Sequence, residues 1–244
     1  MKSVSGVIPP TPIQTMSEQF VLDLAQPEPP SFDNFVAGAN REAMWALMAL
    51  ARGESHETGL LLWGAPGAGK THLLRATAAM AARARAVVEC ASPGDVPAAE
   101  TLPASALLVV DRIDTADAEE QARLFTALNA LAANAGQWVA CAAAPPARVA
   151  LRDDLRTRLA LGLVLEVLPL ADADKAQALE TYARERGFRL SGDVIAYLLA
   201  HGRRDMTSLV ATLAALDRHS LATQRSVTIP LLRDWLQRDL GLSR

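Results

Sequence analysis

Gly64-Ala65-Pro66-Gly67-Ala68-Gly69-Lys70-Thr71 has the form GxxxxGKT, and these are residue types that phosphate chemistry requires. Gly64, Gly67 and Gly69 let the backbone curl until several amide N–H groups point at one anion, and a helix starting at the end of the loop adds its partial positive charge. Lys70 is placed to reach the β- and γ-phosphates as a compact cation, and Thr71 to offer its hydroxyl to Mg²⁺. Asp111 follows about 40 residues later at the end of the apolar run LLVVD. Open α/β sheets bind ligands at such strand ends, so Asp111 is the expected second Mg²⁺ contact, through water. The expected ligand is ADP or ATP. A ligand-free Gly-rich turn and an acid that merely ends a strand are the plain structural alternatives.

Arg112 occupies the position where many nucleotide hydrolases carry a second acid that polarises the attacking water. A guanidinium cannot act as a base, so efficient hydrolysis by this chain alone is not expected. Asp114 either substitutes for that acid or caps the helix that follows it. The basic residues are unevenly chosen: lysine occurs only as Lys2, Lys70 and Lys175, against 21 arginines. A chain with that bias keeps Lys70 where a planar guanidinium would not fit, while Lys175 reads as an ordinary residue of the C-terminal region.

These groups need a scaffold, and the hydrophobic pattern supplies one. Five short apolar runs, Gly59–Trp63, Ala86–Cys90, Ala106–Val110, Gln137–Ala142 and Leu163–Leu168, alternate with helical or loop segments. Continuous apolar strands between helices imply a parallel sheet covered on both faces. Asn40–Arg52 has helical spacing, with Asn40 as its N-cap. After Pro169 the strands stop, and helices are expected near 172–187, 191–201, 205–220 and 228–240. The predicted organisation is an extended tail over 1–30, an α/β domain over 31–169 and a small all-α domain over 170–244. Met16, inside the proline-rich tail, is an alternative start to Met1.

The 244 residues carry 24 basic and 27 acidic side chains, a net charge of −3, with half of all residues hydrophobic. That composition supports a sizeable core and speaks against intrinsic disorder and a dedicated nucleic-acid binder. Cys90 and Cys141 end apolar runs as buried thiols, and His56, His72, His201 and His219 lack ligand spacing, so no metal cluster is expected. With no apolar run near bilayer length and no signal-peptide pattern, a cytoplasmic protein is expected.

FDNFVAGANREA (Phe32–Ala43), GAPGAGKTHLL and LRDDLRTRLALGL (Leu151–Leu163) are similar to the AAA+ module of the replication initiator DnaA. LPLADADKAQALETYARERGF through LDRHSLATQRSVTIP resembles more closely the DnaA-related regulatory inactivators, Hda. The chain thus resembles the DnaA/Hda family of AAA+ proteins over about residues 19–240. The resemblance implies a P-loop αβα sandwich with a five-stranded parallel sheet, a helical lid, and nucleotide between them. It also implies a role: a nucleotide-bound protein on the DNA sliding clamp that promotes hydrolysis of DnaA-bound ATP and so represses replication initiation, meeting DNA only through the clamp. A homo-oligomer is compatible with it. No DnaA-type helix-turn-helix domain is expected after the lid, in keeping with the net charge.

Within that resemblance Gln19-Phe20-Val21-Leu22-Asp23-Leu24 reads as a clamp-binding peptide with Gln19, Phe20, Leu22 and Leu24 as anchors. Alone, the pattern equally fits a tail strand packed on its own domain. Arg158 matches the family's arginine finger, which acts in trans; a surface pair with Asp153 or Asp154 is the plain alternative. The sequence departs from the family at two sensor positions. Ala142, Ala143 and Ala144 stand where a polar residue would meet the γ-phosphate, and Thr207 stands where the lid sensor Arg is expected, with Arg203 or Arg204 as replacements. A self-sufficient ATPase, such as a helicase loader or remodelling motor, is the rival function, and a DNA-binding initiator fragment is a third.

Overall fold

The computed structural model describes residues 29–203, 205–223 and 227–239. Gln19–Leu24, Met1, Met16, Lys2 and Arg204 lie outside the described residues. Five strands, β1 (Gly59–Trp63), β2 (Val87–Cys90), β3 (Leu107–Val110), β4 (Gln137–Ala142) and β5 (Leu163–Glu166), form one parallel sheet in the order β2-β3-β4-β1-β5. Leu61 of β1 lies opposite Ala140 on one side and Val164 on the other. The strands begin one residue later than the apolar runs at β2 and β3, and β5 ends two residues earlier, at Glu166.

Helices α1 (Arg41–Ala51) and α2 (Lys70–Ala81) cover one face, and α3 (Ala118–Ala133) and α4 (Asp153–Ala160) the other. The alternation of side chains along each strand explains the two cores. Leu60 and Leu62 of β1 join Leu47, Leu50, Leu73 and Leu74 on the α1/α2 face. Leu61, between them, joins Leu124, Leu128, Leu155 and Leu159 on the α3/α4 face. The result is a three-layer αβα arrangement, as expected for helices on both faces of a parallel sheet.

Trp138 of β4 fills a slot that two glycines leave open. A Cβ on its register partner Gly59 would overlap the indole ring, and one on Gly162 would lie 2.8 Å from Trp138 Cζ2 and 2.6 Å from the Gly59 carbonyl oxygen.

After β5 come α5 (Asp172–Glu185), α6 (Gly192–His201), α7 (Met206–Thr223) and α8 (Ile229–Asp239). Their apolar faces meet in a third cluster that includes Leu179, Ile195, Leu198, Leu213 and Leu232. Ser191 caps α6 by accepting the Val194 N–H. Lys175 departs from its ordinary reading: it lies on the buried stripe of α5 with Leu179 and Ala183, its ammonium 3.5 Å from Asp172 Oδ1. Among the described residues, no helix is long and apolar enough to cross a membrane.

Asn40 is the N-cap residue of α1, as expected, and its carbonyl accepts the Met44 N–H, but its side chain makes no cap hydrogen bond. The amide instead binds the Leu168 backbone across the molecule. Asp114 does not cap α3; that role belongs to Asp117, which accepts the Glu120 N–H while Glu120 accepts the Asp117 N–H. The reciprocal pair satisfies two otherwise orphaned donors, which a lone Asp114 three residues upstream could not reach.

Candidate functional site

The phosphate loop leaves β1 at Trp63 and enters α2 at Lys70. Gly64, Gly67 and Gly69 all have left-handed φ, at 155°, 78° and 102°. At Gly64 the requirement is also steric, because a Cβ would run into the Val167 carbonyl. A Cβ at Gly69 would lie 2.9 Å from Phe35 Cε2. The arm preceding α1 therefore packs directly on the loop. His72 reinforces the contact: its ring sits 5.4 Å from that of Phe35, and its Nε2–H donates to the Ser31 carbonyl at 2.9 Å. Burial lowers the His72 pKa, with the Ser31 bond opposing.

Lys70 folds over its own loop and donates to the carbonyls of Gly64 at 2.7 Å and Ala65 at 3.0 Å. An ammonium with three rotatable donors can exchange such bonds for phosphate oxygens. Thr71 donates its hydroxyl to Asp111 Oδ2 at 2.7 Å, which brings together the two residues that the sequence separates by forty positions. Asp111 Oδ1 accepts from the Cys141 thiol. Burial is the leading cause that drives the Cys141 pKa far above the ordinary thiol range, so the sulfur keeps its proton and acts as a donor.

Oxygen donors alone at Thr71 and Asp111 suit a hard cation such as Mg²⁺, which keeps several waters and shares phosphate oxygens rather than demanding a protein cage. Among the described residues there is no group of three or more His, Cys, Asp or Glu arranged to hold a metal. That is compatible with a cation bound chiefly through nucleotide and water.

Arg112 has a left-handed φ of 54°, and its guanidinium donates to the Ala91 carbonyl at 3.1 Å, on the β2 side. A cleft of about 620 Å³ opens there, lined by Thr71, Arg75, Glu89, Asp111 and Arg112. Asp114 is bound at the end of β4, where its carboxylate accepts the Ala143 N–H at 3.2 Å. Ala142 is buried, and Ala143 and Ala144 present only methyl groups.

In the C-terminal helices Thr207 is exposed in the first turn of α7. Arg203 pairs with Asp205 at 3.6 Å, and Asp205 accepts the Ser208 N–H at 2.9 Å.

Arg158 is not gathered with the phosphate loop. Its helix lies across the sheet from α2, and the chain beyond it turns through Gly162, against Gly59, into the start of β5. That places Arg158 near the amino ends of the strands, whereas the loop lies at their carboxyl ends. It is half-buried and donates to the Leu128 carbonyl at 3.2 Å. The pairings weighed for it are not formed: Asp153 binds Arg156 at 2.6 Å and Asp154 binds Arg152 at 2.7 Å.

Sequence reasoning missed Asn40 on Leu168, His72 on Ser31, Phe35 on Gly69 and Cys141 on Asp111. None of the four carried a sequence signal, because each joins segments thirty or more residues apart.

A model of the bacterial DnaA ATPase domain matches residues 28–90, and a model of the Hda lid domain matches residues 172–236. Domain III of the Thermotoga maritima replication initiation protein DnaA is similar, with a TM-score of 0.71 and 19% identity, over 86% of this chain and 97% of that one. AMPPCP-bound DnaA from Aquifex aeolicus has a TM-score of 0.62 and 21% identity, over 78% of this chain and 65% of that one. The Thermotoga maritima RuvB Holliday junction branch migration motor reaches 0.62 at 19% identity, over 86% and 72%. These likenesses establish the AAA+ fold.

Proposed function

We propose that this chain, which belongs to the DnaA/Hda family of AAA+ proteins, is an Hda-like negative regulator of replication initiation. It binds ADP or ATP with Mg²⁺ and promotes hydrolysis of ATP held by DnaA. Gly64, Gly67 and Gly69 present backbone amides to the phosphates, Lys70 neutralises their charge, and Thr71 and Asp111 face the cation. Thr71 and Asp111 would hold Mg²⁺ together with the nucleotide, and the ion would supply charge neutralisation there.

The observation that carries this function is a division of labour between two edges of one sheet. The carboxyl edge has a full set of phosphate-binding residues, yet Arg112 is turned to Ala91 and Ala142–Ala144 offer no polar side chain. The opposite edge carries Arg158, which neither neighbouring acid neutralises. A guanidinium so placed suits another protein's nucleotide better than its own, and a finger supplied in trans stabilises charge on the transferred phosphoryl group. The tail segment Gln19–Leu24, with anchors Gln19, Phe20, Leu22 and Leu24, is assigned to the sliding clamp, and the match of the Hda lid model supports DnaA as the partner.

A DnaA-ATP hydrolysis assay with clamp-loaded DNA tests the proposal. The intact chain is expected to accelerate hydrolysis, and Arg158→Ala to lose most of that effect while still binding nucleotide. No acceleration by the intact chain, or full acceleration by Arg158→Ala, overturns it. Strong intrinsic turnover abolished by Lys70→Ala would instead identify a self-sufficient ATPase. For the tail, Gln19→Ala with Leu22→Ala is expected to abolish clamp pull-down with nucleotide affinity intact.

A further inference from the structure

We propose that Cys141 is a positioning residue for the Mg²⁺ contact: its thiol holds the Asp111 carboxylate so that the second carboxylate oxygen meets Thr71. This rests on the nucleotide site assigned above and adds a residue to it.

Cys141 is 1% exposed. It is the fifth residue of β4, and Ala140, before it, pairs with Val110, the residue before Asp111. Neighbouring strands therefore carry Cys141 and Asp111 at one level. Cys141 belongs to the α1/α2 core with Leu73 and Leu74, so its sulfur lies on the same face of the sheet as the helix that bears Thr71. Ala140 and Ala142 belong to the opposite core. The register thus leaves Cys141 as the β4 side chain that can meet Asp111 from below. It donates to Oδ1, and Thr71 donates to Oδ2 at 2.7 Å.

The terminal torsion of an aspartate is broad and roughly two-fold, so one hydrogen bond leaves the carboxylate free to swing. A second donor on the other oxygen removes that freedom. A thiol is a weak donor in water, but a carboxylate is a strong acceptor and the sulfur here is shielded from solvent. The carboxylate is then held at both oxygens, from β4 and from α2.

The test measures ADP affinity of the full chain with Mg²⁺ and with EDTA, for the natural protein, Cys141→Ala and Cys141→Ser. Loss of a hydrogen bond to a charged group predicts about tenfold weaker ADP binding by Cys141→Ala in Mg²⁺. Its affinity in EDTA is expected to stay unchanged, and Cys141→Ser, which restores a donor, to recover the Mg²⁺-dependent gain. A merely structural role would lower affinity equally in both conditions, and that result, or no loss at all, overturns the proposal. Should Cys141→Ala fail to fold, Cys141→Val fills the volume without a donor and is read in the same way. An intact chain whose ADP affinity ignores Mg²⁺ would overturn the assignment of Asp111 as the cation contact. A Mg²⁺-dependent natural protein with an unaffected variant would overturn only the role of Cys141. DnaA inactivation is read in its separate assay.

Discussion

The side-chain amide of Asn40 holds the backbone of Leu168, 128 residues away, by two hydrogen bonds: Nδ2 donates to its carbonyl at 2.9 Å, and Oδ1 accepts its N–H at 2.8 Å. Leu168 lies where the chain has left β5 and turns toward α5, and Asn40 is 3% exposed. Two residues earlier Gly38 has a φ of 51°, and a Cβ there would lie 2.7 Å from Leu170 Cδ2 and 3.3 Å from Asp174 Oδ2. The arm before α1 and the passage into the helical bundle are thus fitted to each other.

Asn40→Ala would remove both hydrogen bonds to the Leu168 backbone. A hydrogen bond contributes about 0.5–1.5 kcal/mol net, so the variant is expected to be destabilised by about 2 kcal/mol in urea denaturation. Asn40→Asp keeps the acceptor and loses the donor, and is expected to fall between the two. A loss under about 0.5 kcal/mol, the scale of an ordinary surface change, would show that the amide does not hold this junction.

Lys70→Ala is expected to abolish measurable ADP binding in calorimetry, because the loop glycines supply amides but no full charge. Lys70→Arg is the sharper test. Its planar fork does not reproduce a point charge on a flexible stem, so it is expected to lose at least about tenfold in affinity despite keeping its charge. Retention of full affinity by the arginine variant would mean that charge alone suffices.

Gly59→Ala puts a methyl group into the indole of Trp138. Overpacking of this kind costs about 1–3 kcal/mol or more, and here the neighbour is a ring fixed in the sheet. Pairing it with Trp138→Leu should recover part of the loss, giving a non-additive double-mutant cycle. Additive effects would show that the clash is relieved by backbone movement instead.

His72 gives stability a definite pH sign. Burial lowers its pKa in the folded chain below the ordinary value of 6.5, so the unfolded chain binds the proton more readily. Its contribution is fully present above pH 6.5 and is lost as pH falls from there through the lowered folded value. His72→Gln is expected to flatten that part of the stability profile, measured by denaturation at successive pH values. An unchanged profile would remove His72 as its source.

Local chemistry and periodicity carry much of this protein. The phosphate loop, the position of Asp111, five apolar strands and four C-terminal helices are legible in sequence because each is a run of neighbours obeying one period or one turn requirement. Arg112 and Ala142–Ala144 were equally plain as departures, since a missing acid needs no fold to be seen. Which partner a polar side chain takes was decided only by tertiary structure. Asn40 has the residue type of a helix cap, yet its amide found an unpaired backbone at Leu168. Asp114 yielded the cap to Asp117, and Cys141 became a donor to Asp111 through the register of β3 and β4. Arg158 was recognisable by its motif, but only the direction in which α4 runs across the sheet sets it at the edge opposite its own phosphate loop. Hydrogen-bond partners are settled by proximity after the chain has packed, and a one-dimensional pattern does not encode that proximity.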